Sequence, residues 1–151
     1  MLLAVSLCIS ALVLAGLVFQ IVPSLAVERR IRRHRVNHLE DEQCPPAAVL
    51  ISLRGADPFL QECLQGLVDQ DYPDYELFVA LDNENDPAAE QLDQVIADRR
   101  PCNVTKIVID DRPGTCTLVN FNYARVVEQL DTRFRLVVFV DADAVTWPSW
   151  L

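Results

Sequence analysis

The chain has 151 residues, about half of them apolar, with only 4 glycines and a net charge of −9; that is a globular composition with room for one modest domain, which excludes disordered and collagen-like classes. The charge is divided: residues 1–43 hold five arginines against four acidic residues, a balance of +1, whereas residues 44–151 hold 8 basic against 18 acidic residues, a balance of −10. A domain of that sign is repelled by nucleic acid and anionic lipid, so no nucleic-acid partner is expected and an anionic ligand needs a bridging cation.

Residues 1–27 contain no charged side chain and are dominated by Leu, Val, Ala and Ile. A helix of that length spans the ~30 Å hydrocarbon layer of a bilayer with some tilt to spare. A cleaved signal peptide ending at Ser24-Leu25-Ala26 and a buried core helix are the other readings. The first lacks a basic residue ahead of its apolar stretch, which is also too long for it. Arg29, Arg30, Arg32, Arg33 and Arg35 follow at once. By the positive-inside rule they predict a single-pass anchor over 1–27 with a short N-terminus outside and the remaining chain at the cytoplasmic face.

Residues 28–46 read as a basic juxtamembrane segment that turns acidic and ends in the stiff linker Cys44-Pro45-Pro46. His34 and His38 stand at i, i+4 spacing, but five neighbouring arginines make a cation site there unfavourable. The odd set Cys8, Cys44, Cys63, Cys102 and Cys116 contains no C-x-x-C pair, so neither a zinc knuckle nor a closed disulfide framework is expected. Asn103-Val104-Thr105 is a formal glycosylation sequon without meaning on a cytoplasmic domain.

Beyond Ala47 strands and helices alternate. AAVLISL (47–53) is a continuous apolar run, as in a strand buried on both faces. Asp57-Pro58 supplies a cap and a first-turn proline for a helix whose stripe is Phe59, Leu60, Cys63, Leu64, Leu67 and Val68. Tyr72-Pro73-Asp74 ends it, and YELFVAL (75–81) is the next strand. Asp86-Pro87 caps a second helix with Ala88, Ala89, Leu92, Val95 and Ile96 facing inward. VTKIVI (104–109) is a third strand, and after the loop 110–117 a third helix places Val119, Tyr123, Val126, Val127 and Leu130 on one face. LVVFV (136–140) is a fourth strand. This alternation predicts right-handed crossovers and a parallel α/β sheet covered on both sides.

In such sheets ligands bind beyond the carboxyl ends of the strands. The residues there are Arg54 and Gly55, Asp82 to Asp86, Asp110 to Thr117, and Asp141 to Asp143. Neither G-x-G-x-x-G nor a P-loop is present, so those routes to phosphate binding are excluded. Asp141 and Asp143, at i and i+2 after a buried strand, are hard oxygen donors suited to Mg2+ or Mn2+, which accept one or two carboxylates and complete their shell with water and phosphate oxygens.

Four stretches carry a family resemblance: 49–77 with its Gln70-Asp71-Tyr72-Pro73, the strand end LDNENDP (81–87), GTCTLVNFNYA (114–124), and VFVDADAVTWPSWL (138–151). In these the sequence resembles the family 2 glycosyltransferases of the GT-A fold, in the membrane-bound branch that includes ceramide glucosyltransferase and bacterial relatives. The resemblance implies a Rossmann-like nucleotide-binding half over 47–151, a nucleotide-diphosphate sugar (foremost a UDP-sugar) as donor, and a lipid acceptor at the bilayer. It implies that Asp82 contacts the base or ribose and that Asn120 lies on the donor side; Arg54, at the end of the first strand, is open either to stacking on the nucleotide or to pairing with Asp57. Asp141 and Asp143 become the D-x-D pair, Asp143 the more direct metal ligand. The chain departs from the pattern at Thr117, where relatives often carry a lysine. The family's general base and its Q/R-x-x-R-W segment would follow Leu151, so the chain is expected to be the donor-binding half, a truncation or a fragment, with little or no turnover of its own.

Two other readings stand beside this one. A haloacid-dehalogenase-type phosphohydrolase also has D-x-D-x-[TV] after an apolar strand, satisfied by Asp141, Asp143 and Val145, although that motif normally opens its domain. A membrane-tethered nucleotide-binding or interaction module would use the same half-fold without catalysis. Trp147 and Trp150 are expected to cover the end of the sheet.

Overall fold

The computed structural model describes residues 2–33, 39–111, 114 and 116–151. His34, His38 and Arg35, together with Arg112, Pro113 and Thr115 of the loop after the third strand, lie outside them. The chain divides into two compact units, residues 1–38 and 39–151.

The first unit is a single helix, α1 (Leu2–Arg33). Its Leu12–Arg30 stretch has a mean hydropathy of 1.6 and buries none of its surface within the protein, so by length and composition it can cross a membrane. Pro23 lies inside the helix and cannot donate to the preceding turn. Next to it the Ser24 hydroxyl donates to the Gln20 carbonyl at 2.8 Å.

The second unit starts with a short 3-10 turn, Asp41–Gln43, and continues as β1 (Ala47–Leu53), α2 (Leu60–Val68), β2 (Tyr75–Leu81), α3 (Pro87–Arg99), β3 (Val104–Val108), α4 (Leu118–Val127) and β4 (Leu136–Val140). The four strands form one parallel sheet in the order β3-β2-β1-β4. Ala47 pairs with Tyr75 on one side and with Leu136 on the other. The expected parallel α/β architecture is therefore present, and β1, β2 and β4 keep the limits read from the sequence. The third strand stops one residue early, at Val108.

Strand alternation sends side chains to two separate layers. Val49, Ile51 and Leu53 of β1 join Leu77, Val79 and Leu81 of β2 against Leu60, Leu64 and Leu67 of α2 and Leu92 and Val95 of α3. The opposite layer is thinner: Ala48, Leu50, Phe78, Ala80 and Ile109 meet Val126 of α4. Each fully buried large aliphatic side chain contributes on the order of 1.5–3 kcal/mol, so the α2/α3 layer supplies most of the stabilisation.

Two helix readings change on folding. The Asp57 carboxylate accepts from the Phe59 backbone N–H at 2.8 Å within a turn, and α2 begins only at Leu60. On α4 the inward residues are Asn122 and Val126. Val119 and Val127, expected in the apolar stripe, are exposed, because α4 crosses a sheet whose β4 flank is uncovered on that side. Val138 and Val140 of β4 pack into the α2/α3 layer, while Val137 and Phe139 point to the other face and remain 38% and 54% exposed.

Asp86 is the cap with the widest reach. Its Oδ1 accepts from Ala88 N–H at 2.9 Å and from Gly55 N–H at 2.8 Å, joining the first turn of α3 to the loop after β1. Gly55 adopts φ +75, a conformation in which a Cβ is strained. Asp86→Ala is expected to lower the unfolding free energy by about 1–2 kcal/mol in urea titration. Asp57→Ala, whose carboxylate serves an exposed turn, should change it by no more than about 0.5 kcal/mol.

Candidate functional site

The chain advances from β1 to β2 to β3 on one side and then returns through α4 to place β4 on the other side of β1. That reversal between β1 and β4 is a topological switch point, the place beyond the carboxyl ends of the strands where such sheets take their ligands in a crevice. Asp82 follows β2, Ser52 and Arg54 stand at the end of β1, and Asp141 follows β4. Two interstrand spacings, ~10 Å, separate the β2 end from the β4 end.

Asp82 is buried, its side chain 5% exposed, despite its charge. Its Oδ1 accepts from Asn122 Nδ2 at 3.1 Å, and the same amide nitrogen donates to Ser52 Oγ at 2.9 Å. Asn122 is fully buried on the inner face of α4. The opposite amide orientation would set a carbonyl oxygen against the carboxylate, so the hydrogen-bond pattern assigns Nδ2 to Asp82. Among the described residues, neither Asp82 Oδ2 nor Asn122 Oδ1, both buried, has a hydrogen-bond partner. The nearest cation to Oδ2 is Arg54, with Nε at 3.5 Å and a side chain 68% exposed. Arg54 thus faces Asp82, whereas the sequence left open a pairing with Asp57. A buried acceptor without a donor costs about 1–3 kcal/mol, and two adjacent ones mark a place built around something other than stability.

Tyr123 closes the seam between β1 and β4. Its hydroxyl donates to the Val140 carbonyl at 2.8 Å, and its ring lies 4.8 Å from that of Phe139. Burial, followed by the charge of Asp141, raises its pKa, with a backbone hydrogen bond from Ser52 acting the other way. The phenol therefore stays protonated and keeps donating.

Asp141 and Asp143 occupy a turn closed by Ala144 N–H donating to Asp141 O at 3.1 Å. Both residues are exposed. The Asp141 carbonyl faces α2, where the Cys63 thiol approaches it at 3.8 Å. Burial, ahead of the charges of Asp143 and Asp57, pushes the Cys63 thiol up to about 11, against a lowering backbone hydrogen bond from Ala144. Among the described residues no group of three or more His, Cys, Asp or Glu side chains converges on one metal position.

The other sequence candidates are dispersed. Asn120 is exposed on the first turn of α4, where its N–H donates to Thr117 Oγ1 at 3.4 Å. Asp110 and Asp111 are exposed, and Asp111 lies 4.0 Å from Arg125. Trp147 is 68% exposed and so does not cover the sheet end as expected, whereas Trp150 is 38% exposed; the chain there turns its backbone toward the end of α2, where Trp147 O and Pro148 O accept from Gln70 and Asp71. Asn122, Ser52 and Tyr123 are the site residues that sequence reasoning missed. The signal for Asn122 was its i, i+4 relation to Val126, hidden because only apolar positions were counted on that face.

With this geometry in place, comparison with known proteins is informative. The family model for glycosyl transferase family 21 matches residues 8–151. The chain belongs to glycosyl transferase family 21. The resemblance to ceramide glucosyltransferase is shared by a curated relative, the ceramide glucosyltransferase of Komagataella phaffii, 40% identical over 45 residues. The family number attached to that resemblance, family 2, is not the one the model matches. Those 45 residues are 30% of this chain and 9% of the relative.

Among solved structures, the mannosyltransferase of Pyrobaculum calidifontis in complex with GDP-Man and Mn2+ superposes with a TM-score of 0.61 at 18% identity, covering 85% of this chain and 36% of that one. TarS of S. aureus superposes at 0.52 and 19% identity, over 69% of this chain and 18% of that one. At these identities the likeness establishes the fold, a Rossmann-like parallel sheet.

Native alkylation with iodoacetamide at pH 8 should modify Cys102 and Cys116, both exposed, and spare Cys63 until the chain is denatured. Only the thiolate reacts, and a thiol that titrates near 11 is almost wholly protonated at pH 8. Because the folded-state pKa is raised, Cys63 stabilises the fold fully below its ordinary pKa of 9.0 and loses that contribution as pH rises toward 11. Peptide mapping of the labelled protein reads the first outcome directly.

Proposed function

We propose that residues 47–151 bind a nucleotide-diphosphate sugar in the crevice at the β1/β4 switch and present it for transfer of a hexosyl group, with inversion, to an acceptor hydroxyl. The observation that carries this reading is Asp82 Oδ2, a buried carboxylate oxygen that has no hydrogen bond among the described residues and only the exposed Arg54 guanidinium beside it, at 3.5 Å. It is suited to accept an N–H or O–H from the base or ribose, and Asn122 keeps its partner oxygen occupied. Arg54, exposed beside Asp82, and Asn120 on α4 are the further donor-side residues in this reading.

At the other end of the crevice, Asp141 and Asp143 are exposed carboxylates on one turn. That donor set fits Mg2+ or Mn2+ held by one or two protein carboxylates, with Asp143 the more direct ligand and Asp141 beside it. Such a cation, when bound, neutralises the diphosphate and stabilises it as a leaving group. It also accounts for how a domain with a balance of −10 takes an anionic substrate. Tyr123, its pKa raised by burial, keeps donating to the Val140 carbonyl at the end of β4, next to Asp141 in the chain.

In this reading α1 is a single-pass anchor and the arginines at its end keep the catalytic domain at the cytoplasmic face. An acceptor at the bilayer, a lipid hydroxyl, follows from that placement and from the curated relative's name. A UDP-sugar is the proposed donor.

Calorimetric titration of the detergent-solubilised chain with UDP and with GDP, each with and without Mn2+, tests this. Mn2+ is expected to tighten UDP binding, and Asp143→Asn to remove at least about tenfold of that gain. Asp82→Asn should weaken UDP binding whether or not Mn2+ is present. Affinity indifferent both to Mn2+ and to Asp143→Asn would sink the reading.

A further inference from the structure

The carboxylates of Asp141 and Asp143 face solvent, so their placement rests on the backbone that carries them. In front, that backbone is held by the 3.1 Å turn bond from Ala144 N–H to Asp141 O and by the Cys63 contact. Behind, residues 144–151 run back along α2, and one side chain binds them there. Gln70, just past the end of α2, is only 8% exposed. Its Nε2 lies 2.7 Å from Gly66 O, 3.0 Å from Trp147 O and 3.2 Å from Thr146 Oγ1, so two amide protons serve three acceptors. Its Oε1 accepts from Leu151 N–H at 2.8 Å. Asp71 N–H adds a 2.7 Å bond to Pro148 O.

The approach to α2 is as close as a helix permits. A Cβ on Gly66 would lie 2.5 Å from the Thr146 carbonyl oxygen, so backbone packs on backbone there without an intervening side chain. Only two residues separate Asp143 from Thr146. A displacement of Thr146 and Trp147 away from α2 therefore moves Asp143, and metal ligation is sensitive to shifts of a few tenths of an ångström.

We propose that Gln70 is a positioning residue for the acidic turn: by fastening Thr146, Trp147 and Leu151 to the end of α2, it sets the place from which Asp141 and Asp143 present their carboxylates to a divalent cation. This rests on the metal-bridged reading above. It adds that the specificity of the site for cation and diphosphate depends on a side chain 71 positions before Asp141 in sequence and on the opposite flank of the turn. Glutamine suits the role because it both donates to carbonyl oxygens and accepts from an N–H. Glutamate would set a carboxylate against three oxygen atoms.

The test is the ratio of UDP affinities with and without Mn2+, measured on the full chain for Gln70→Leu, Thr146→Val and Asp143→Asn. Gln70→Leu is expected to reduce the Mn2+-dependent gain by about tenfold, the low end for residues that orient metal ligands, while UDP binding without Mn2+ stays as in the parent. Thr146→Val, which removes one acceptor and preserves shape, should reduce the gain by a smaller factor of about two to three. A purely structural role would lower both affinities together and leave the ratio unchanged, and that result overturns the proposal. If Gln70→Leu does not fold, an unchanged ratio in folded Thr146→Val overturns it equally. An unchanged ratio in these variants with a collapsed ratio in Asp143→Asn rejects the role of Gln70 alone. A ratio untouched by Asp143→Asn rejects the metal-bridged reading beneath it.

Discussion

β1 is hydrogen-bonded along both edges, to β2 and to β4, and its side chains are buried on both faces. That double constraint organises everything else. A strand paired on both sides in parallel fashion must receive its neighbours by crossovers, and right-handed crossovers that run one way from β1 to β3 and back again from β3 to β4 put α2 and α3 on one face and α4 on the other. The crevice lies where those two sets of connections part. Asp82, Ser52, Arg54 and Asp141 share it because their strands end there, with no requirement that they be near one another in sequence.

The site combines two kinds of carboxylate with opposite environments. Asp82 is enclosed and held by Asn122, and its second oxygen has the exposed Arg54 beside it but no hydrogen bond among the described residues. Asp141 and Asp143 are open to solvent on a turn whose backbone is pinned to α2. Low local dielectric makes the first a selective hydrogen-bond acceptor. Hydration and mutual proximity make the second pair suited to a hard cation. Membership of glycosyl transferase family 21 favours glycosyl transfer over a phosphohydrolase reading of the same D-x-D.

The uncovered flank of β4 shows what burial alone decides. Val137 and Phe139 have strand-forming side chains and strand geometry, yet stay 38% and 54% exposed even with the Tyr123 ring against Phe139. α4 packs against β1 and β2 and touches β4 through Tyr123, whose hydroxyl donates to the Val140 carbonyl. Consequently Val119 and Val127, apolar and correctly spaced for a helix stripe, gain no partner on that side.

Legibility followed the same physical lines. Continuous apolar runs and the Asp86-Pro87 cap determined the strands, α3 and the parallel class, since these depend on local spacing and on caps that the chain carries with it. That Asp82 and Asp141 stand at the carboxyl ends of β2 and β4 was legible too, because each directly follows an apolar strand run. Three things were decided only by tertiary structure. Asn122 became the partner of Asp82 because helix rotation, set by packing against Ala48 and Phe78, brought a polar side chain onto the inner face. Arg54 turned to Asp82 because β1 and β2 end in register. Gln70 took up the chain after the acidic turn because β4 returns beside β1 and directs that segment over α2. Each is a long-range hydrogen bond or ion pair, and no periodicity within a single element encodes where its partner will stand.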